Sequence, residues 1–457
     1  MDRLEAWITS ASDWIWGPPL LILLMGGGAF FLIYSRFLPF RYFPHGISLL
    51  KTNPKEPQAA GEVSHLQALS VALAATIGMG NIASVAIAIQ FGGPGVIFWM
   101  WVSAILGMAT KYFTCSLAVM YRTKDEFGKT DGGPMHVIKQ GLGRRWHWLA
   151  YLFCTAGLFG CLPVFNANQL TQATEGILLA PMGFESSDAS KLVIGIALAS
   201  LTTAVMFGGL SRIANVVTAL VPLMVGIYFI AVLGILIRHV DALPQCLALI
   251  TGDAFAAQHV DKEALFGGTL LGLILIGAQR AAFSNEAGIG TAPMAHGAAK
   301  TNYPVHEGLV AMLGPVIDTL LVCSLTAMAI LVTGAWQSEG ASGITITSMA
   351  FEQTYPELGK YILLICILCF GTSSMFSYSY FGSKCFRFLF GSRRLGVYST
   401  AYIGSILWGA ITPTLLVVGF IDTMYAIMAL PTVLSAVLLA PRVIDATKAH
   451  FGPGSKC

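Results

Sequence analysis

The chain has 457 residues, 55% hydrophobic and 11% charged, with a formal net charge of +3. Soluble domains carry about 25% charged residues, so this composition excludes an ordinary soluble globular protein and describes an all-α polytopic membrane protein. With charges spread over loops and no basic tract, a nucleic-acid partner is also excluded, and membrane lipid is the expected surrounding.

In chain order, residues 1–16 mix Asp2, Arg3, Glu5 and Asp13 with Trp7, Ile8, Trp14 and Ile15. That pattern suits a short segment lying at the membrane interface. A bilayer crossing takes about 20 apolar residues. Eleven stretches meet that need: 18–36, 67–90, 95–120, 147–178, 190–209, 213–237, 264–283, 306–333, 358–382, 396–415 and 419–441. An odd number puts the termini on opposite sides. With the N-terminus outside, 20 Lys and Arg fall on cytoplasmic segments and 5 on external ones, so the positive-inside rule predicts N-out and C-in at the cell membrane. Most of the nine cysteines, including the Cys366–Cys369 pair, lie inside apolar stretches and read as packing residues.

The organisation expected is an interfacial segment (1–16), an extra helix and cytoplasmic loop (17–66), a five-helix unit (67–238), an external loop (239–263), a second five-helix unit (264–445) and a cytoplasmic tail (446–457). The first helix of each unit is interrupted. One contains Gly78-Met79-Gly80-Asn81; the other begins at Phe266-Gly267-Gly268 and runs into Gln279-Arg280 and Ser284-Asn285-Glu286. Glycine costs a helix roughly 1 kcal/mol against alanine, and irregular backbone at membrane depth is tolerated only inside protein or along a cavity. Paired interruptions point to an inverted repeat with a central binding site; close helix packing at small residues is the other reading.

A broken helix offers free amides at one end, which suit a carboxylate, and free carbonyls at the other, which suit a hard cation. Thr76 and Asn81 add side-chain oxygens beside Gly78 and Gly80. The span 358–382 carries Thr372, Ser373 and Ser374, then Ser377, Tyr378 and Ser379; these hydroxyls can join carbonyls around a small cation or bond helix to helix. Asn166 and Asn168 lie at membrane depth, where an amide needs a partner. Lys111, Glu175, Arg280, Glu286 and Asp318 are the charges within or beside spans. Arg280 and Glu286 are expected to form an ion pair, whereas Asp318 has no evident partner in the sequence. Signatures of hydrolases, metalloproteases and nucleotide-binding loops are missing. The chain therefore reads as a secondary transporter rather than an enzyme, with a passive channel as the lesser alternative.

Several motifs carry a family resemblance: Gln67-Ala68-Leu69-Ser70 before the break, Gly92-Gly93-Pro94-Gly95 with Phe98-Trp99-Met100-Trp101, Gly132-Gly133-Pro134-Met135, and above all Phe283-Ser284-Asn285-Glu286-Ala287-Gly288 with Ala292-Pro293. Over about residues 15–445 the chain resembles the alanine or glycine:cation symporters, also called sodium:alanine symporters. The resemblance implies the LeuT-type fold, with ten core helices in two inverted five-helix repeats plus one extra N-terminal helix. It also implies uptake of a small amino acid coupled to sodium or protons, with no organic cofactor. By position, Thr76, Gly78, Met79, Gly80, Asn81, Asn166, Phe266, Gly267, Gly268 and Tyr378 would meet the substrate. Ala74, Ile77, Thr372, Ser373 and Ser374 would meet sodium. Four positions depart from the family pattern: Met79 stands where threonine is usual, Asn166 for glutamine, Tyr378 for tryptophan and Ala281 for glycine. The first three leave the preferred amino acid open, glutamine included.

Overall fold

The computed structural model describes residues 15–51, 60–261, 268–338 and 343–452; the segment expected at the interface lies almost wholly outside them. Among the described residues, each of the eleven apolar stretches contains helix. The first gives α1, Pro18–Tyr34, followed by a short helix α2, Phe43–Leu49. The second is split into α3, His65–Thr76, and α4, Gly80–Gly92, bent by 55° at the break. Then come α5 (Val96–Met120), α6 (His147–Gly160), α7 (Val164–Thr174), α8 (Asp188–Met206) and α9 (Gly209–Arg238). The second half holds α10 (Leu270–Asn285), α11 (Thr291–His296), α12 (Pro304–Val332), α13 (Gly359–Phe390), α14 (Leu395–Ile411) and α15 (Thr414–Phe451). Among the described residues, seven helices are long and apolar enough to cross a bilayer, or eight if α3 and α4 form one span. α1 and α10 are apolar but shorter, and α14 has 17 residues.

The bundle is built around α13, whose apolar window is 78% buried. α3 packs between α13 and α9, α5 lies against α10 and α12, and α6 and α7 reach α13, α14 and α15. By contrast the apolar window of α9 is only 33% buried, the pattern of a helix whose outer face is left to lipid.

The basic loops meet at one end. A two-stranded hairpin, Thr123–Lys124 with Thr130–Asp131, covers the ends of α11 and α13. There Lys384 Nζ reaches Asp131 Oδ1 at 3.0 Å and the carbonyls of Gly132 and Met294 at 2.7 and 2.8 Å. Arg387 pairs with Asp125 at 3.0 Å, and Arg122 donates to the carbonyls of Ala299 and Thr301. Burial pushes the Asp131 carboxyl up, but Lys384, His136 and Arg387 outweigh it and hold it well below its ordinary range. Glu307, fully buried, is bonded by both His65 and His296, joining α3, α11 and α12.

Candidate functional site

α3 stops because Ile77 turns extended (φ −74°, ψ 92°). The chain passes through Gly78 and Met79 and resumes as a π-helical turn over Gly80–Ser84. What fixes this interruption is Asn81. Its Oδ1 accepts the Gly78 N–H at 2.9 Å, and its Nδ2 donates to Asp318 Oδ1 at 2.6 Å and lies 3.2 Å from Ser284 Oγ. Asp318 also accepts from Ser284 Oγ at 2.7 Å and Thr319 Oγ1 at 3.0 Å. It sits on a second π-helical stretch, Val316–Cys323, of the kind often found at functional positions. Asn81 was expected beside the substrate. Its amide is instead used at both ends by protein, and it does not border the cavity described next.

That cavity, of about 20 Å³, has room for a water or two and is enclosed at the break. Thr76, Gly78, Met79 and Gly80 form one wall, Leu162, Phe165 and Asn166 the corner between α6 and α7, and Ser374 and Tyr378 the face of α13. Ala75, Gly160, Phe283, Ile421 and Tyr425 complete it. Asn166 presents an amide with no hydrogen-bond partner among the described residues. Thr76 bonds back to the Leu73 carbonyl at 3.3 Å. Phe283 packs edge-on against Phe165 (centroids 5.4 Å apart) and at a tilt against Tyr425 (5.9 Å). These three rings were not anticipated as cavity walls from sequence. Phe283 stands in the longest motif of the chain, and that motif was the available signal.

The Tyr378 hydroxyl donates to Glu286 Oε1 at 2.5 Å, and Tyr425 bonds both Tyr378 (2.7 Å) and Glu286 (3.2 Å). Thr291 donates to the other carboxylate oxygen. The expected Arg280–Glu286 ion pair is therefore replaced by a hydroxyl cage: Glu286 ends α10 in a left-handed conformation (φ 54°), is 1% exposed, and faces tyrosines.

Of the second interruption expected at Phe266-Gly267-Gly268, only Gly268 lies within the described residues. Gly268 precedes Thr269, whose Oγ1 accepts the Gly272 N–H at 3.1 Å and caps the start of α10. Gly268 is thus a helix entry and does not border the cavity; Phe266 and Gly267 lie outside the described residues. Among the described residues the second half is interrupted at Glu286–Gly290, where Gly288 (φ 91°) and Gly290 (φ 108°) take backbone angles that no continuous helix contains.

Of the residues expected at the cation, Ser373 and Ser374 donate to the Phe370 carbonyl of their own helix at 2.9 and 3.0 Å, and Ser373 also brings its Oγ to 3.5 Å from the Ala74 carbonyl. Ser374 lies so close to the break that a Cβ on Gly78 would fall 2.7 Å from its Oγ. Ile77, between them, is released from helical geometry. Thr372 turns away and bonds the Leu368 carbonyl of its own helix at 2.7 Å. Ser373 thus approaches the Ala74 carbonyl and Ser374 approaches the break at Gly78, and oxygen groups of this kind are what a hard cation takes.

The comparisons agree with this architecture. The model of the sodium:alanine symporter family matches residues 1–453. The chain is 35% identical over 446 residues to the sodium/alanine symporter AgcS of Methanococcus maripaludis, covering 97% of this chain and 96% of that protein. It is 32% identical to the probable sodium/glutamine symporter GlnT of Bacillus subtilis over 97% of this chain and 90% of that one. Its fold resembles the crystal structure of MhsT in complex with L-phenylalanine, with a TM-score of 0.58 over 86% of this chain and 100% of that one at 13% identity. The fold is of the LeuT type, and the protein is a multi-pass membrane transporter, not an enzyme. The chain belongs to the sodium:alanine symporter family.

Proposed function

We propose that this protein couples inward sodium movement to the uptake of a small neutral amino acid, alanine or glycine, by alternating access. The observation that carries the reading is the small enclosed cavity at the helix break, against the Ser373–Ser374 face of α13. The first N–H groups of α4, around Met79 and Gly80, lack carbonyl partners within their helix and would receive the substrate carboxylate. The ammonium group would go to the carbonyl end of α10, where Phe283 O lies 3.5 Å from a Cβ built on Gly80. That role was expected of Phe266–Gly268. Sodium, as cargo, would bind the Ala74 and Ile77 carbonyls with Ser373 and Ser374. Tyr378 and the aromatic trio would close over the side chain.

The two interruptions, α3/α4 and α10/α11, support reading 67–238 and 264–445 as inverted repeats after one extra helix. On that reading the chain crosses eleven times, N-terminus out and C-terminus in. Uptake of labelled alanine and glycine into proteoliposomes, with and without an inward sodium gradient, tests the function. Absence of gradient-driven accumulation of either amino acid would sink it.

A second reading, a glutamine substrate, is favoured by one observation. Asn166 offers the cavity an unpaired amide, and a site that hydrogen-bonds a polar side chain discriminates strongly for it. Competition of unlabelled glutamine against labelled alanine separates the two.

A further inference from the structure

We propose that the end of the molecule carrying the basic loops holds a divalent transition-metal site built from His45, His306 and His450. His45 lies on α2, His306 in the first turn of α12 and His450 in the last turn of α15, so three segments distant in sequence converge. One ligand nitrogen from each histidine lies within 4.8 Å of the other two. The Nε2 atoms of His306 and His450 face each other at 3.2 Å. Nε2 of His45 is buried and has no hydrogen-bond partner among the described residues.

A hydrogen bond explains only part of this. One neutral imidazole can donate to another, which accounts for the facing pair and leaves the His45 nitrogen unsatisfied. A cation satisfies all three at once. With zinc about 2.0–2.1 Å from each nitrogen in a tetrahedron, ligand atoms stand roughly 3.4 Å apart. The His306–His450 pair is at that spacing, and a side-chain rotation brings His45 in.

The surrounding rings hold the three in place. His306 lies edge-on to His45 and to His450, at centroid distances of 6.2 and 4.8 Å. Tyr42 stacks on Phe451 at 4.0 Å, fixing α2 against the end of α15. Each histidine is half-buried, so water can reach the site as a fourth ligand. An all-imidazole set suits zinc, copper or nickel rather than magnesium or calcium, and Zn²⁺ is the ion we assign. Neighbouring His65 and His296 are engaged by Glu307. Bound metal would tie α2, just after the first helix, and the end of the last helix to the start of α12. This proposal does not rest on the transport reading.

The test uses full-length protein purified without a polyhistidine tag, stripped with EDTA and dialysed against ZnCl2, with metal measured by elemental analysis. One zinc per chain is expected, with His45→Gln and His450→Gln each weakening binding by at least about tenfold and the double variant losing it. Zinc should raise the melting midpoint of the wild type and leave that of the double variant unmoved. The nine cysteines are intact in every variant, so zinc held by thiolates would persist in all of them. No stoichiometric binding by the wild type at about 100 µM free zinc, or variants that bind as tightly as the wild type, overturns the site. Should the double variant fail to fold, His45→Gln alone carries the comparison.

Discussion

Asn81 Nδ2 lies 2.6 Å from Asp318 Oδ1, while the same side chain's Oδ1 accepts the Gly78 N–H at 2.9 Å. One amide thus ties the helix break of the first half to a π-helical stretch of the second, with Ser284 of α10 bonded to the same carboxylate. Asn81→Asp would set two fully buried carboxylates against each other, a change worth about 3 kcal/mol or more. We expect that variant to lose most uptake and to melt earlier. The exchange Asn81→Asp with Asp318→Asn restores one donor and one acceptor and should recover part of both. Equal damage in the single and double variants would show that the pair is not coupled.

Gly78→Ala places a methyl carbon 2.7 Å from Ser374 Oγ and 3.8 Å from Ser374 Cβ. The hydroxyl, not the helix, is therefore in the way. The single variant should be destabilised by about 1–3 kcal/mol. Adding Ser374→Ala should return the melting midpoint towards wild type while leaving sodium dependence impaired. A double variant that melts as early as the single one would place the strain elsewhere.

Ser373 and Thr372 are neighbours with opposite expectations. Both hydroxyls bond carbonyls of their own helix, but Ser373 also lies 3.5 Å from the Ala74 carbonyl across the helix contact. Ser373→Ala should raise the half-saturating sodium concentration by about tenfold, the equivalent of roughly 1.4 kcal/mol, and Thr372→Ala should change it far less. Sodium titration of uptake at saturating amino acid distinguishes them. Equal shifts would remove the distinction.

Met79 is 1% exposed and borders the cavity. Met79→Ala enlarges the space without touching the sodium set. Uptake of amino acids larger than alanine should improve relative to alanine by about tenfold or more, since one methylene's worth of pocket decides factors of about ten and above. An unchanged preference across a panel of labelled amino acids would show that Met79 does not set the size limit.

Asp131 supplies the acid limit at the loop-bearing end. Its carboxyl is held low in the folded protein by Lys384, His136 and Arg387 against the opposing effect of burial. The stabilisation is then fully present above the unfolded carboxylate's ordinary 3.8 and is lost as pH falls below it through the folded value. Asp131→Asn leaves Lys384, 0% exposed, without its counter-ion, at a cost of about 3 kcal/mol near neutral pH. Melting midpoints of variant and wild type should converge as pH drops below 4; a constant gap would show that the loss is not electrostatic.

Sequence alone determined the class of molecule. Apolar runs report burial in lipid or protein wherever they lie, so the helical stretches and the 67–90 interruption were legible, and long motifs identified the family. Gly78, Met79, Asn166 and Tyr378, which that resemblance names together, border one cavity. What tertiary structure decided are the partners of groups whose chemistry fits more than one role. Asn81 has polar atoms that suit a ligand or a cap, and only the approach of Asp318 makes it a cap. Glu286 suits an ion pair with Arg280, until the left-handed turn at its own position aims it at Tyr378 and Tyr425. Gly268 and Gly288 both take positive φ beside a helix, and the Thr269 cap makes one the entry to α10 while the other lies in the turn between α10 and α11. Contacts across 92 to 237 positions of chain are set by packing, and no local pattern of residues encodes them.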